Sequence, residues 1–200
     1  QLKEYFEKIK TETEKSSKII SNNEKVKKVM EKTAELSEKI KHPKLEKIKE
    51  IIIEEINSNP NAKIIVFANF RNSVLQIVNE LKSVESIRPI YLLGQKEGIT
   101  QKQQIETIKR FEDNTFNVLV STSIAEEGLY IKGGAKLAIF YDSVPSEIRN
   151  IQRKGRVGRL EAGKIIFLMT KDSRDIAYFW TSRRKEKKMK VLVNKLKEEK

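Results

Sequence analysis

Arg153, Arg156 and Arg159 recur every third residue in NIQRKGRVGR, residues 150–159, with Gly155 and Gly158 between them. Pro145 suits the first turn of a helix that runs to about Lys154 and gives way at Gly155. The three guanidiniums then emerge on roughly one side of a glycine-loosened turn. A guanidinium is a permanent charge in a rigid planar fork, matched to the oxygens of a phosphate under transfer. Presented by one domain to a nucleotide held by another, such a side chain neutralises transition-state charge and contributes about 10³ to 10⁵ in rate. Taken alone, GRVGR reads equally well as a basic turn that binds any anion.

Arginines of that kind need a nucleotide, and a phosphate-cradling loop requires G-x-x-x-x-G-K-[ST] between a strand and a helix. GRLEAGKI, residues 158–165, has the glycines and the lysine at that spacing. Ile165 stands where the magnesium-binding hydroxyl belongs, and a strand-like run follows in place of a helix, so the match is rejected. No acidic pair follows a strand to hold magnesium. With no cysteine and one histidine, no metal site is expected within the chain. What remains reads as half of a motor.

A second set of residues suits phosphates at rest. Asn69–Arg71 follow KIIVFA, Gly94 and Gln95 follow YLL, and the run from Ser121 through Thr122 and Ser123 to Gly128 follows VLV. Small hydroxyls, amides and helix N-terminal amides hold phosphate oxygens without reading bases. Singly, Asn69 or Thr122 would be an ordinary helix cap. Together they form a set that grips a nucleic-acid backbone.

The elements that must position these groups follow from the apolar pattern. From Lys63 onward, short apolar runs alternate with amphipathic stretches: KIIVFAN, IRPIYLL, FNVLVST, AKLAIFY and KIIFLMT. Runs apolar on both faces predict strands covered on both sides. Helices are expected near 72–84, 100–113 and 145–154, and from about 173 onward; Thr100 with Gln103 reads as a capping box. The alternation predicts an α/β domain with a mostly parallel sheet of three-layer form. Open sheets of this kind collect their working residues beyond the carboxyl ends of the strands.

Upstream, residues 1–41 contain no Gly or Pro but hold 11 lysines and 8 glutamates. Leu2, Tyr5, Phe6, Ile9, Val26, Val29 and Met30 fall at helical spacings, yet are too few to bury a core of their own. Pro43 marks a restart, and Leu45, Ile48, Ile52 and Ile56 give the next helix an apolar stripe that closes around Pro60. The expected division is a helical segment, 1–41, and an α/β domain, 42–200.

Charge agrees with an anionic partner without deciding it. Forty-one Lys and Arg against 28 Asp and Glu leave a formal +13, which favours nucleic acid, although basic solvated surfaces also occur in proteins with no such partner. The last 30 residues hold 11 cations against 5 acids, either a nucleic-acid-facing helix or a solvated face. Nowhere do about 18 apolar residues run together, so no membrane partner is expected and a cytoplasmic, nucleoid-associated protein is.

In order and spacing the chain resembles the second RecA-like domain of superfamily 2 helicases, most closely the archaeal Hef and Fanconi-M type of DNA repair translocase. IVFANFR is similar to motif IV, VLVSTSIAEEGLYI to motif V and IQRKGRVGR to motif VI. HPKLEKIKEII, GQKEGITQKQQ and SRDIAYFWTSRRKEKKM resemble Hef proteins specifically, so the similarity runs from about His42 to the end. The resemblance implies that Arg156 and Arg159 reach the γ-phosphate of ATP, while Gln152 and Arg153 order the interdomain cleft. It further implies that Glu127 and Gly128 lie by the nucleotide, and that Thr122, Ser123, Asn69 and Arg71 grip DNA. ATP and Mg²⁺ would be held mainly by a first RecA-like domain outside this chain, and residues 1–41 would be the end of a helical insert between the two.

The same resemblance implies an ATP-dependent helicase or translocase acting on forked or branched DNA in repair or replication restart, moving towards the 5′ end of one strand. The isolated fragment would be inactive. A nuclease domain or a homodimer partner would accompany it in some relatives. Tyr130 stands where the superfamily usually has Asp in motif V, and Lys154 replaces a second arginine. Two other readings stay open: a non-catalytic nucleic-acid-binding relic, and an RNA-directed relative.

Overall fold

A computed structural model describes residues 2–39, 42–94, 99–122, 131, 134–142, 163–173, 175–177, 179–181, 184–185 and 188. It divides into two compact units, Gln1–Glu46 and Lys47–Lys200.

The first unit holds three helices, α1 (Leu2–Thr11), α2 (Lys15–Asn22) and α3 (Glu24–Lys39), and the start of α4 (Pro43–Ser58). Phe6, Ile9 and Met30 are buried where the three helices meet, whereas Tyr5, Ile19 and Val29 are half or more exposed. Such a short apolar list leaves local contacts to hold the helices, among them Lys10–Glu7 at 3.1 Å and Lys8–Glu12 at 3.5 Å.

In the second unit the predicted alternation forms. The strands are β1 (Ile64–Phe67), β2 (Pro89–Leu92), β3 (Val118–Ser121), β4 (Leu137–Phe140) and β5 (Lys164–Phe167). Each lies inside one of the five apolar runs. They make one sheet in the order β2-β3-β1-β4-β5, and every pairing is parallel. The three inner strands are buried at every residue, while β2 and β5, at the margins among the described residues, are partly exposed. Coverage on both faces therefore holds for the inner strands, and the marginal pair departs from it because each lacks one neighbour.

Two faces follow from the register. Ile65, Ile90, Leu119, Ala138 and Ile165 line up across the sheet with Phe67, Leu92, Phe140 and Phe167 on one face, where Ile108 and Phe111 of α6 (Gln101–Glu112) join their cluster. Alternate residues, among them Ile64, Val66, Val118 and Val120, turn to the opposite face. Helix α5 (Arg71–Leu81) connects β1 to β2 and packs on β2 and β3, and the right-handed rule for parallel crossovers assigns it to that opposite face.

One end of each of these helices has a local cause. Thr100 accepts from the Gln103 amide and Gln103 reaches back to Thr100, the capping box expected from sequence. Helix α5 stops at Leu81, short of the expected residue 84. There the Ser83 hydroxyl donates to the Glu80 carbonyl at 2.7 Å, and Val84 turns back to Leu81 at 3.2 Å. A serine hydroxyl offered to a helical carbonyl competes with helix continuation. Lys164 opens a strand, as the rejection of GRLEAGKI as a phosphate loop requires. The expected helix at 145–154 lies outside the described residues; of the last one, 175–177 and 179–181 are helical.

Candidate nucleic-acid interface

Parallel register brings together loops that the sequence holds far apart. Leu92, Ser121, Phe67, Phe140 and Phe167 form one row across the sheet. Thr122 lies one residue past that row, and Gly94, Asn69 and Asp142 lie two past it, on four adjacent strands. At a strand spacing of about 4.8 Å the four span roughly 15 Å. β1 continues towards β2 on one side and β4 towards β5 on the other, so the chain reverses direction between them. A crevice at such a switch point is where open α/β sheets bind ligands.

Backbone groups that leave the ladder here are satisfied from nearby. The Asn69 amide donates to Asp142 Oδ2 at 2.7 Å, tying the ends of β1 and β4 across the crevice. Ser121 Oγ donates to the Leu92 carbonyl at 3.1 Å, and Gln104 Nε2 to the Leu93 carbonyl at 2.7 Å. Beneath them Phe67, Phe140 and Phe167 stack at centroid distances of 5.1 and 4.7 Å, a rigid floor under the row.

The phosphate-facing residues divide unequally. Arg71 is exposed in the first turn of α5, whose N-cap is Phe70 and not Asn69, with no side-chain cap. The Asn69 backbone amide thus serves the crevice. The positive end of the α5 dipole and the Arg71 charge point the same way electrostatically, towards an anion. Gly94 is buried at the end of β2, and Thr122 is 4% exposed, its hydroxyl without a hydrogen-bond partner among the described residues. A buried, unpaired hydroxyl costs about 1–3 kcal/mol. Thr122 therefore stands as a buried polar group just past the end of β3. Gln95, Ser123, Glu127, Gly128, Gln152, Arg153, Arg156 and Arg159 lie outside the described residues.

Sequence reasoning passed over Asp142. Its signal is an acid placed directly after a strand, in AIFYDS. Tyr141 beside it is buried, and its phenol is pushed up to about 12 by burial first, then by the charges of Asp142 and Asp175. Asp175 accepts from the Thr170 amide at 3.1 Å, while Ser173 Oγ donates to the Thr170 carbonyl at 2.7 Å, closing the loop after β5. Among the described residues no group of three His, Cys, Asp or Glu could hold a metal. The crevice offers amides, a guanidinium and paired carboxylates, chemistry for gripping and ordering.

Known proteins share this fold. Residues 43–161 match the family described as the helicase conserved C-terminal domain. Over 196 residues the chain is 39% identical to a Methanocaldococcus jannaschii protein provisionally named an ATP-dependent RNA helicase, covering 96% of this chain and 25% of that one. It is 43% identical over 138 residues to the ATP-dependent DNA helicase mph1 of Neurospora crassa, covering 65% and 12%. The crystal structure of the Pyrococcus furiosus Hef helicase domain superposes with a TM-score of 0.69 and 41% identity, over 90% of this chain and 38% of that one. The chain spans well under half the length of each of these proteins.

Proposed function

Because the chain belongs to the helicase conserved C-terminal domain family, as the second RecA-like domain of a superfamily 2 helicase near Hef, we propose that it is the C-terminal motor half of an ATP-dependent DNA helicase or translocase. The observation that supports this reading is the shared row: Gly94, Thr122 and Asn69, far apart in sequence, follow the carboxyl ends of the adjacent strands β2, β3 and β1. A formal charge of +13 favours a polyanion along that face.

In this reading Asn69, Arg71, Gly94, Gln95, Thr122 and Ser123 hold one DNA strand by its phosphates. Glu127, Gly128, Gln152 and Arg153 order the cleft towards a first RecA-like domain of the same protein. That domain would hold ATP and Mg²⁺, which supply the hydrolysable phosphoanhydride and its charge neutralisation. Arg156 and Arg159 reach the γ-phosphate from this side, and the Asn69–Asp142 bond ties the DNA-facing loop to the strand that leads towards them. Alternating grip by the two domains moves the protein along a strand at forks and branched DNA. Residues 1–41 complete a helical insert between the domains.

The test joins this chain to its first domain in the full-length protein and measures DNA-stimulated ATP hydrolysis. Arg156→Ala is expected to lower turnover by about 10³-fold or more while DNA binding persists. Unchanged turnover in that variant rules out the arginine assignment. The provisional RNA name of the M. jannaschii relative favours a second reading, an RNA-directed motor, because phosphate contacts barely discriminate sugars. Competition between matched DNA and RNA forks separates the two.

A further inference from the structure

The margin of β2 forms a groove that, apart from Arg71 at one end, the motor reading does not use. It encloses about 630 Å³ between α5 and α6, with Leu75, Val78 and Lys82 on one wall and Thr107, Arg110 and Phe116 on the other. Since the two helices cover opposite faces of the sheet, the slot between them opens on the edge of the strand itself.

Backbone directions on that edge follow from the bonds on the other side. The Arg88 carbonyl accepts from the Asn117 and Val118 amides, and the Leu92 carbonyl from Thr122, so these residues face β3. Alternate residues of a strand direct their backbone groups to opposite sides. The Pro89 carbonyl, the Tyr91 amide and carbonyl and the Leu93 amide therefore face the groove. Pro89, which has no amide to offer, sits at an outward position where edge strands tolerate proline. Among the described residues no second strand pairs with β2.

We propose that this groove docks an extended acidic peptide, which pairs with Pro89–Leu93 as an added strand. Two amide donors and two carbonyl acceptors at strand spacing match a peptide backbone. A phosphodiester chain would meet the carbonyls with like charge. Leu75, Val78 and Phe116 provide apolar seats for alternate side chains, and Tyr91, 40% exposed, adds a ring at the rim. Among the described lining residues Arg71, Lys82 and Arg110 stand against Glu106, so acidic residues between the apolar ones complete the match. Arg110 is held over the Phe116 ring at 4.8 Å, which fixes its charge at the wall. A second copy of this chain would oppose those cations with its own, which disfavours pairing of two β2 edges.

The probe is a fluorescein-labelled peptide of about eight residues alternating Asp and Val, titrated into the full chain and followed by anisotropy. Saturable binding is expected, with the Tyr91 and Leu93 amides slowed in hydrogen exchange. Lys82→Glu combined with Arg110→Glu, both exposed and so compatible with folding, is expected to weaken it by about tenfold or more. Methylation of alternate peptide amides should abolish it with the charge unchanged. Equal binding by the methylated peptide or by its Lys–Val counterpart overturns the proposal. Protection of the same two amides by single-stranded oligonucleotide, or by dimerisation without peptide, assigns the groove to those occupants and overturns it as well.

Discussion

In the helical unit Ile19 is 73% exposed and Tyr5 55%, and its three helices meet on little more than Phe6, Ile9 and Met30. In the sheet unit Phe67, Phe111, Phe140, Leu119 and Ile139 are all within a percent of complete burial. The same chain thus uses two sources of order. Burial of apolar area holds the sheet unit, at about 25 cal/mol per Å² removed from water. Neighbouring side chains along each helix hold the other, at about 0.2–0.5 kcal/mol per pair. A segment of the second kind has little apolar burial behind its helices.

The largest effect that could break this contrast is a core truncation. Phe111→Ala removes a fully buried ring shared by α6 and the sheet and is expected to cost about 3–5 kcal/mol. Ile19→Ser in the helical unit should change stability by no more than about 0.5 kcal/mol. Urea unfolding of the two variants measures both. A comparable loss from Ile19→Ser would mean that the helical unit owns a core after all.

How much of this was legible in sequence divides along the same line. All five strands, the parallel arrangement and the Thr100–Gln103 cap lay in local patterns, because an apolar run covered on both sides and a capping box are each written within a few residues. Strand order was not legible: β1 pairs with β3 and β4, and nothing in IIVF names its neighbours. For the same reason Asp142 escaped notice, since its meaning comes from the Asn69 amide 73 residues away. Asn117 is a similar case. Its side chain accepts from the Arg88 amide at 2.8 Å and donates to the Ser86 carbonyl at 2.9 Å, closing the turn before β2, yet alone it reads as a polar residue ahead of a strand. Thr122 reads from sequence as one of a set of small groups for a phosphate, and its burial depends on a register that no local pattern carries. The groove beside β2 was invisible because its cations come from two helices on opposite faces of the sheet.

A smaller effect sharpens the contrast at alkaline pH. Tyr141 titrates at about 12 in the folded chain against an ordinary 10.0, with burial as the leading cause. Its folded pKa is raised, so the folded state binds that proton more tightly, and the stabilisation is complete below pH 10 and disappears as pH rises through about 12. Tyr141→Phe should flatten this limb, so that the stability difference between the two proteins closes over that window. Circular dichroism unfolding with tyrosinate absorbance follows both quantities. A wild-type limb as flat as the variant's would show that Tyr141 is not desolvated as the fold requires.

The smallest effect belongs to the helical unit and has the opposite sign. Ser17 Oγ donates to Glu12 Oε2 at 2.7 Å, and this bond leads in holding the Glu12 carboxyl below its ordinary 4.5, with the Lys8 ammonium as a lesser cause. A depressed carboxyl stabilises above its unfolded pKa and loses that stabilisation as pH falls through the folded value. Glu12 is solvated, so the contribution is slight and screened by salt. It nevertheless bridges the turn between α1 and α2, where the unit has few apolar contacts to substitute for it. Ser17→Ala should therefore raise the Glu12 pKa, read by NMR titration of its side-chain carbonyl, and fray α1 and α2 first as pH drops below about 4.5. The sheet unit's exchange-protected amides should be unmoved by the same substitution. If they loosened in step with α1 and α2, the two units would share one cooperative transition, and the division between buried area and local pairing would lose its thermodynamic meaning.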